Sequence, residues 1–203
     1  GQVEFSPVAW SHGAKFGGAA LSAYAVSNLI PILIRMYGAP DYIEFQDYEG
    51  LAYFALQRQL VLEAGYPQIP IVVRVHGPMF VLNRYSATPR YALPGFWFDE
   101  MERFTLEAAS LVLSPSDSMD AALREEGCRA RPVRAHNPAR FDVPEGPDRY
   151  DGPLVFLGRA SYLKGLVELF EALQRRFDAG HREPLRIIGL DGDFAVRGTT
   201  TMQ

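Results

Sequence analysis

The sequence predicts an α/β protein made of two Rossmann-like lobes of parallel sheet, both incomplete in this chain, and three observations carry that prediction. Short runs of β-branched and aliphatic residues alternate with longer stretches whose apolar positions recur at helical spacing. The runs close on His-Gly-Pro, Ser-Pro-Ser, Asn-Pro and Gly-Arg rather than on two-residue hairpin turns, so successive strands are joined by crossovers and lie parallel. Residues 139–153 bring three Pro, two Gly and several charges without periodicity, which places a linker at 141–152 between an N-terminal lobe (1–140) and the start of a C-terminal lobe (153–203).

Each element has its own signal. Residues 19–37 carry apolar positions at helical spacing, with Pro31 expected to kink or divide the helix. DYIEFQ (41–46) reads as a strand and 51–64 as a helix, and IPIVVRVHGP (69–78) as a buried parallel strand stopped by His-Gly-Pro. An aromatic and acidic helix over 94–109 leads into the strand of SLVLSPS (110–116). Ser116 then caps a helix with Asp117 and Asp120 in its first turn, ending at Gly127. PVRAHNP (132–138) is a further strand. Beyond the linker, LVFLG (154–158) is a strand, 163–177 a helix and PLRIIGL (184–190) a second strand.

At 203 residues and 48% hydrophobic, the chain has ample material for a packed core. A net charge of -4 argues against the broad basic face that nucleic-acid binding needs, although 18 Arg leave room for local anion sites. The single cysteine, Cys128, excludes an intramolecular disulfide framework, fits a reducing compartment and reads as a small apolar residue. No apolar run reaches the roughly 18 residues of a membrane span and no charged-then-apolar leader opens the chain, so the expected location is the cytoplasm or the periphery of the inner membrane.

In open α/β sheets ligands sit beyond the carboxyl ends of the strands, which selects His76, Ser114, Ser116, Asn137, Gly158 and Arg159. Arg159 and Lys164 flank a strand-to-helix turn, and Lys164 is one of only two lysines, with Lys15. Two cations and the amides of a helix start can converge on one oxyanion, and a diphosphate suits them. The competing reading pairs Arg159 with a carboxylate and leaves Lys164 as a solvated residue in the helix's first turn, where the dipole disfavours it. His76, at the end of an apolar strand, is either a ligand-facing imidazole or a structural one bonded to a backbone carbonyl. Asp191-Gly192-Asp193 fits a turn better than a metal-binding pair. His12, His136 and His181 have no companions at metal-ligand spacing, so no metal site is expected. The Gly-rich stretch His12–Gly18 follows no strand and reads as a flexible loop, and no serine nucleophile elbow, Walker loop or full G-x-G-x-x-G occurs.

Taken in order, PDYIEFQDYEG (40–50), VVRVHGP (72–78), the run from Glu102 to Ser116, HNP (136–138) and FLGRASYLKG (156–165) followed by LVELFEAL resemble a family 4 glycosyltransferase of the GT-B fold, over roughly residues 40–190. The Gly-Arg to Lys-Gly element is the most specific part. The resemblance implies a retaining enzyme that moves a sugar from a UDP- or GDP-sugar donor to an acceptor, whether saccharide, lipid or small molecule. It implies that Gly158, Arg159 and Lys164 hold the donor diphosphate, that His76 meets the transferred sugar with Asn137 on the same substrate-binding side, and that neither metal nor cofactor is needed. The family's opening strand with its Gly-rich loop, and its later Glu-x7-Glu, are not visible here. The chain therefore reads as an internal piece, inactive alone. A non-enzymatic two-lobed binding or regulatory domain is the alternative, and another GT-B enzyme such as an epimerase or inverting transferase is a third.

Overall fold

The computed structural model describes residues 7–86, 89, 91, 93–138, 146, 152–182, 184–189, 193–194 and 199–200, with backbone alone for 7–16, 193–194 and 199–200. The chain is mixed α/β with parallel sheets, and it divides into two compact units: Gly1–Val81 with Arg90–Asn137, and Leu82–Pro89 with Pro138–Gln203. Most of the predicted 141–152 linker lies outside the described residues.

In the first unit four strands, β1 (Ile43–Gln46), β2 (Ile71–Arg74), β3 (Leu111–Ser114) and β4 (Val133–Arg134), pair in sequential order and all in parallel. β2 is buried on both faces, as its unbroken IVV run requires, whereas β1 alternates and buries only Phe45 fully. The crossovers supply the cover. Helix α1 (Pro7–Tyr37) precedes β1, α2 (Tyr53–Leu60) joins β1 to β2, α3 (Met79–Tyr85) and α4 (Gly95–Ala108) join β2 to β3, and α5 (Asp117–Glu125) joins β3 to β4. Ile71, Val73, Val75, Leu56, Val81, Leu106, Val112 and Leu123 form the centre of the core, with Cys128 at its margin. Burial pushes the Cys128 thiol up, in keeping with a packing residue.

Three expectations about the first 37 residues are corrected. The stretch His12–Gly18 is helical rather than a loop, and the departure from helical geometry falls at Gly17 (φ 77, ψ 159). Pro31 lies inside the helix and does not divide it. Proline removes the amide that would bond the carbonyl of Ser27, four residues earlier, and that carbonyl instead accepts the Tyr66 hydroxyl at 3.2 Å and the Arg58 guanidinium at 3.3 Å. Tertiary partners thus replace the missing bond. Finally, the span Gly17–Tyr37, 21 residues, is long and apolar enough to cross a membrane by length and composition. Ser22, Ser27, Asn28 and Pro31 interrupt its apolar run, yet no charged residue stands between Gly17 and Arg35. One face of this helix is packed, through Ala19, Ala20, Ala23, Ser27 and Ile30.

In the second unit β5 (Leu154–Leu157) pairs in parallel with β6 (Leu185–Ile188) across helix α6 (Leu166–Asp178), whose Leu166 and Leu173 are buried. A short antiparallel pair, β7 (Asp193–Phe194) with β8 (Thr199–Thr200), follows, so the sheets of this chain are not all parallel.

Candidate functional site

The carboxyl end of β2 is built on buried carboxylates. β1 runs into Asp47, which is 1% exposed, and its Oδ2 accepts the amides of His76 at 3.0 Å and Gly77 at 2.9 Å. The His76 side chain itself is exposed at this edge, and no backbone carbonyl holds it among the described residues. Behind it stands Glu102 of α4, which is fully buried. Its Oε1 accepts the Glu49 amide at 2.8 Å and its Oε2 accepts the Met79 amide at the start of α3. Burial pushes Glu102 up to about 8, with the Asp47 charge adding to the rise and the Glu49, Met79 and Phe80 amides opposing it. Burial likewise raises Asp47, against the lowering effect of the Gly77 and His76 amides.

The ends of β3 and β4 are tied differently. Ser116 caps α5 as expected, its Oγ accepting the Met119 amide at 3.2 Å, and Asp117 and Asp120 stand in the first turn. Arg134 on β4 bridges both aspartates, its bond to Asp120 measuring 2.8 Å. Ser114 is fully buried, with its hydroxyl reaching the Ser116 carbonyl at 3.4 Å. Asn137 is exposed three residues past β4.

In the second unit, β5 ends at Leu157 and its neighbour Gly158 donates its amide to Ile188 of β6 at 2.9 Å. The two strand ends approach so closely that a Cβ on Gly189 would fall 2.0 Å from the Gly158 carbonyl oxygen. Only glycine fits there. Arg159 is exposed, and the exposed Lys164 runs its stem beside Gly158, with Cγ 3.9 Å from where a Cβ on that glycine would be. Among the described residues neither cation takes part in an ion pair, so the carboxylate expected as an alternative partner of Arg159 is not among them.

Lys164 does not lie in the first turn of the helix, as the sequence had implied. Tyr162–Lys164 form a 3-10 turn, Gly165 adopts the left-handed conformation (φ 74), and α6 begins at Leu166 with Glu168 in its first turn. The dipole penalty expected for Lys164 is therefore reduced. No side chain caps α6, which leaves its first amides for solvent or a ligand.

The remaining candidates contribute less. Asp191 and Gly192 lie outside the described residues, as does the side chain of His12, while His136 and His181 are exposed. Among the described residues no group of three His, Cys, Asp or Glu is placed to hold a metal ion. A groove of about 530 Å³ lined by Ile30, Leu33, Ile34, Tyr37, Tyr42 and Ile43 lies at the start of β1, away from the strand ends, and its one carboxylate, Glu44, is engaged by Arg74 at 2.7 Å.

No protein-family model matches the chain, and no curated protein matches it.

Asp47 and Glu102 are the residues that sequence reasoning passed over. The available signal for Glu102 was its place on the face of α4 that also carries Thr105 and Leu106, where a core-facing helix puts apolar side chains.

Proposed function

We propose that the chain belongs to a retaining nucleotide-sugar-dependent glycosyltransferase of the two-lobed GT-B type, each lobe a Rossmann-like sheet, with a UDP- or GDP-sugar as donor and a saccharide, lipid or small molecule as acceptor. The observation that carries the reading is the turn after β5. Two cations without carboxylate partners among the described residues, the bare backbone of Gly158 and the uncapped start of α6 converge within one strand–turn–helix unit. Each charge-assisted contact to a phosphate oxygen contributes about 1.5 to 3 kcal/mol.

In this reading Arg159 and Lys164 bind the diphosphate and stabilise the charge that grows on it as the bond to the sugar breaks. Lys, a mobile point charge on a long stem, can follow that oxygen, whereas the planar Arg can grip two at once. His76, exposed at the end of β2, meets a sugar hydroxyl. Asn137, exposed beyond β4, offers a second polar contact on the same unit.

Thermal-shift screening of UDP, GDP and their sugars against the wild type, Arg159→Ala and Lys164→Ala tests the assignment. Stabilisation by one nucleotide series that either substitution removes supports it. Equal stabilisation of all three proteins would refute the diphosphate site, and nucleotide binding without sugar transfer would favour a regulatory binding domain.

A further inference from the structure

Four amides that follow two adjacent parallel strands end on two buried carboxylates. Asp47, in the turn after β1, takes both His76 and Gly77 on a single oxygen at 3.0 and 2.9 Å. Glu102 on α4 takes the amide of Glu49, in that same turn, on one oxygen and the amide of Met79, at the start of α3, on the other. The turn after β1 is therefore fastened through Asp47 to the segment that follows β2 and through Glu49 to Glu102 of α4, which also holds the start of α3. His76 is held by its own amide, with the residue otherwise exposed.

The fastened turn is not a relaxed one. Glu49 holds a left-handed backbone (φ 53, ψ 23), a conformation that non-glycine residues adopt rarely, and its amide is the one that Glu102 accepts. Gly50 follows at φ 62, pressed so closely on α4 that a Cβ would stand 2.6 Å from Met101 Cβ. The two carboxylates are the acceptors of all four amides, which an apolar side chain of similar volume would leave unpaired. Their effect here is to fix backbone amides in place.

We propose that Asp47 is a positioning residue for His76, holding its backbone while Glu102 holds the turn that carries Asp47, so that the imidazole stands at a fixed place on the strand edge where it meets the transferred sugar. What the imidazole meets rests on the transferase reading, whereas its fixation does not.

Two NMR readouts on the 203-residue chain test this. The first is amide exchange at Glu49, His76, Gly77 and Met79, with Val73 of β2 as control. The second is the His76 Cε1–Hε1 resonance during titration with UDP, UDP-glucose, GDP and GDP-mannose. Asp47→Ala should speed exchange at His76 and Gly77 at least about tenfold and leave Val73 within about twofold. In the wild type a nucleotide sugar should move the His76 resonance further than its parent nucleotide does. Asp47→Ala should lose that increment, and Asp47→Asn, whose amide oxygen can still accept both bonds, should keep it together with the slow exchange. If Asp47→Ala does not fold, Asp47→Ser, whose hydroxyl is too short to reach both amides, carries the same expectation.

Exchange unchanged in Asp47→Ala, or raised while the sugar increment persists, overturns the positioning role and leaves the transferase reading standing. No increment in the wild type, with the Gly158 and Arg159 amides indifferent to UDP and GDP, overturns the transferase reading and the sugar-facing part of this proposal. The exchange rates then decide the fixation of His76 by themselves.

Discussion

The strand ends after β2 and after β5 share one local plan, a parallel strand that turns into a helix, and they use charge in opposite ways. After β2 the titratable groups are carboxyls with almost no exposure, engaged by backbone amides, and the one exposed group of interest, His76, is carried by a backbone that Asp47 holds. After β5 the charged groups are cations left in solvent, beside glycines that keep the backbone bare. A buried carboxyl that accepts backbone amides fixes geometry, and burial holds it toward its protonated form, whereas an exposed and unpaired charge costs little and stays available to a ligand. The first end is built to hold a side chain still and the second to receive an anion.

The largest way to break this contrast is Glu102→Ala. It leaves the Glu49 and Met79 amides buried without acceptors and opens a cavity in α4's packed face, so we expect a loss of about 3 to 5 kcal/mol in urea unfolding. Loss of less than about 1 kcal/mol would mean that the two bonds contribute little to the fold.

The same residue sets a pH dependence. Its folded pKa, raised to about 8, means that the folded chain keeps a proton which the unfolded chain releases near the ordinary carboxylate range. The contribution is full below about pH 4.3 and is lost as pH rises toward about 8, at up to about 1.4 kcal/mol per pH unit where only the unfolded state has ionised. Burial also raises Asp47, which adds a decline of the same sign. Glu102→Gln should flatten the profile between about pH 5 and 8, and an unchanged slope in that variant would contradict the assignment.

Next in size is Gly50→Ala. The added methyl meets Met101 Cβ at 2.6 Å and the Met101 carbonyl carbon at 2.8 Å, on a backbone with φ 62. A loss of about 2 to 3 kcal/mol in thermal or urea unfolding is expected, with His76 and Gly77 exchange quickened. At the other strand end the effects on stability should be smallest, because Arg159→Ala and Lys164→Ala remove exposed side chains without protein partners among the described residues. Each should shift the unfolding midpoint by less than about 0.5 kcal/mol equivalent.

Much of the sheet was legible because β-branched runs stop at residues that end strands. IVVR, LVLS and LVFL each became a strand within a residue or two of the predicted span. Helix α3 was not, since Pro78 and a seven-residue length give periodicity nothing to repeat on. The full length of α1 was not legible, because Gly13, Gly17 and Gly18 signal a loop locally, and tertiary bonds from Tyr66 and Arg58 to Ser27, invisible in a linear reading, support the chain through Pro31. Arg159 and Lys164 stood out in the sequence by their rarity and spacing, since the chain has only two lysines. Asp47 and Glu102 did not, because a carboxylate that serves backbone amides declares itself only when burial and partners are known.

The measurement that bears most directly on the β5 turn is calorimetric titration of UDP and GDP at about 50 and about 500 mM salt into the wild type, Arg159→Ala, Lys164→Ala and, as control, Lys15→Ala. The account predicts weak binding of one nucleotide diphosphate that falls with salt, weakens at least about tenfold in either cation variant and is unchanged in the Lys15 control. Affinity that is indifferent to both cations, or the same in high salt as in low, would contradict it.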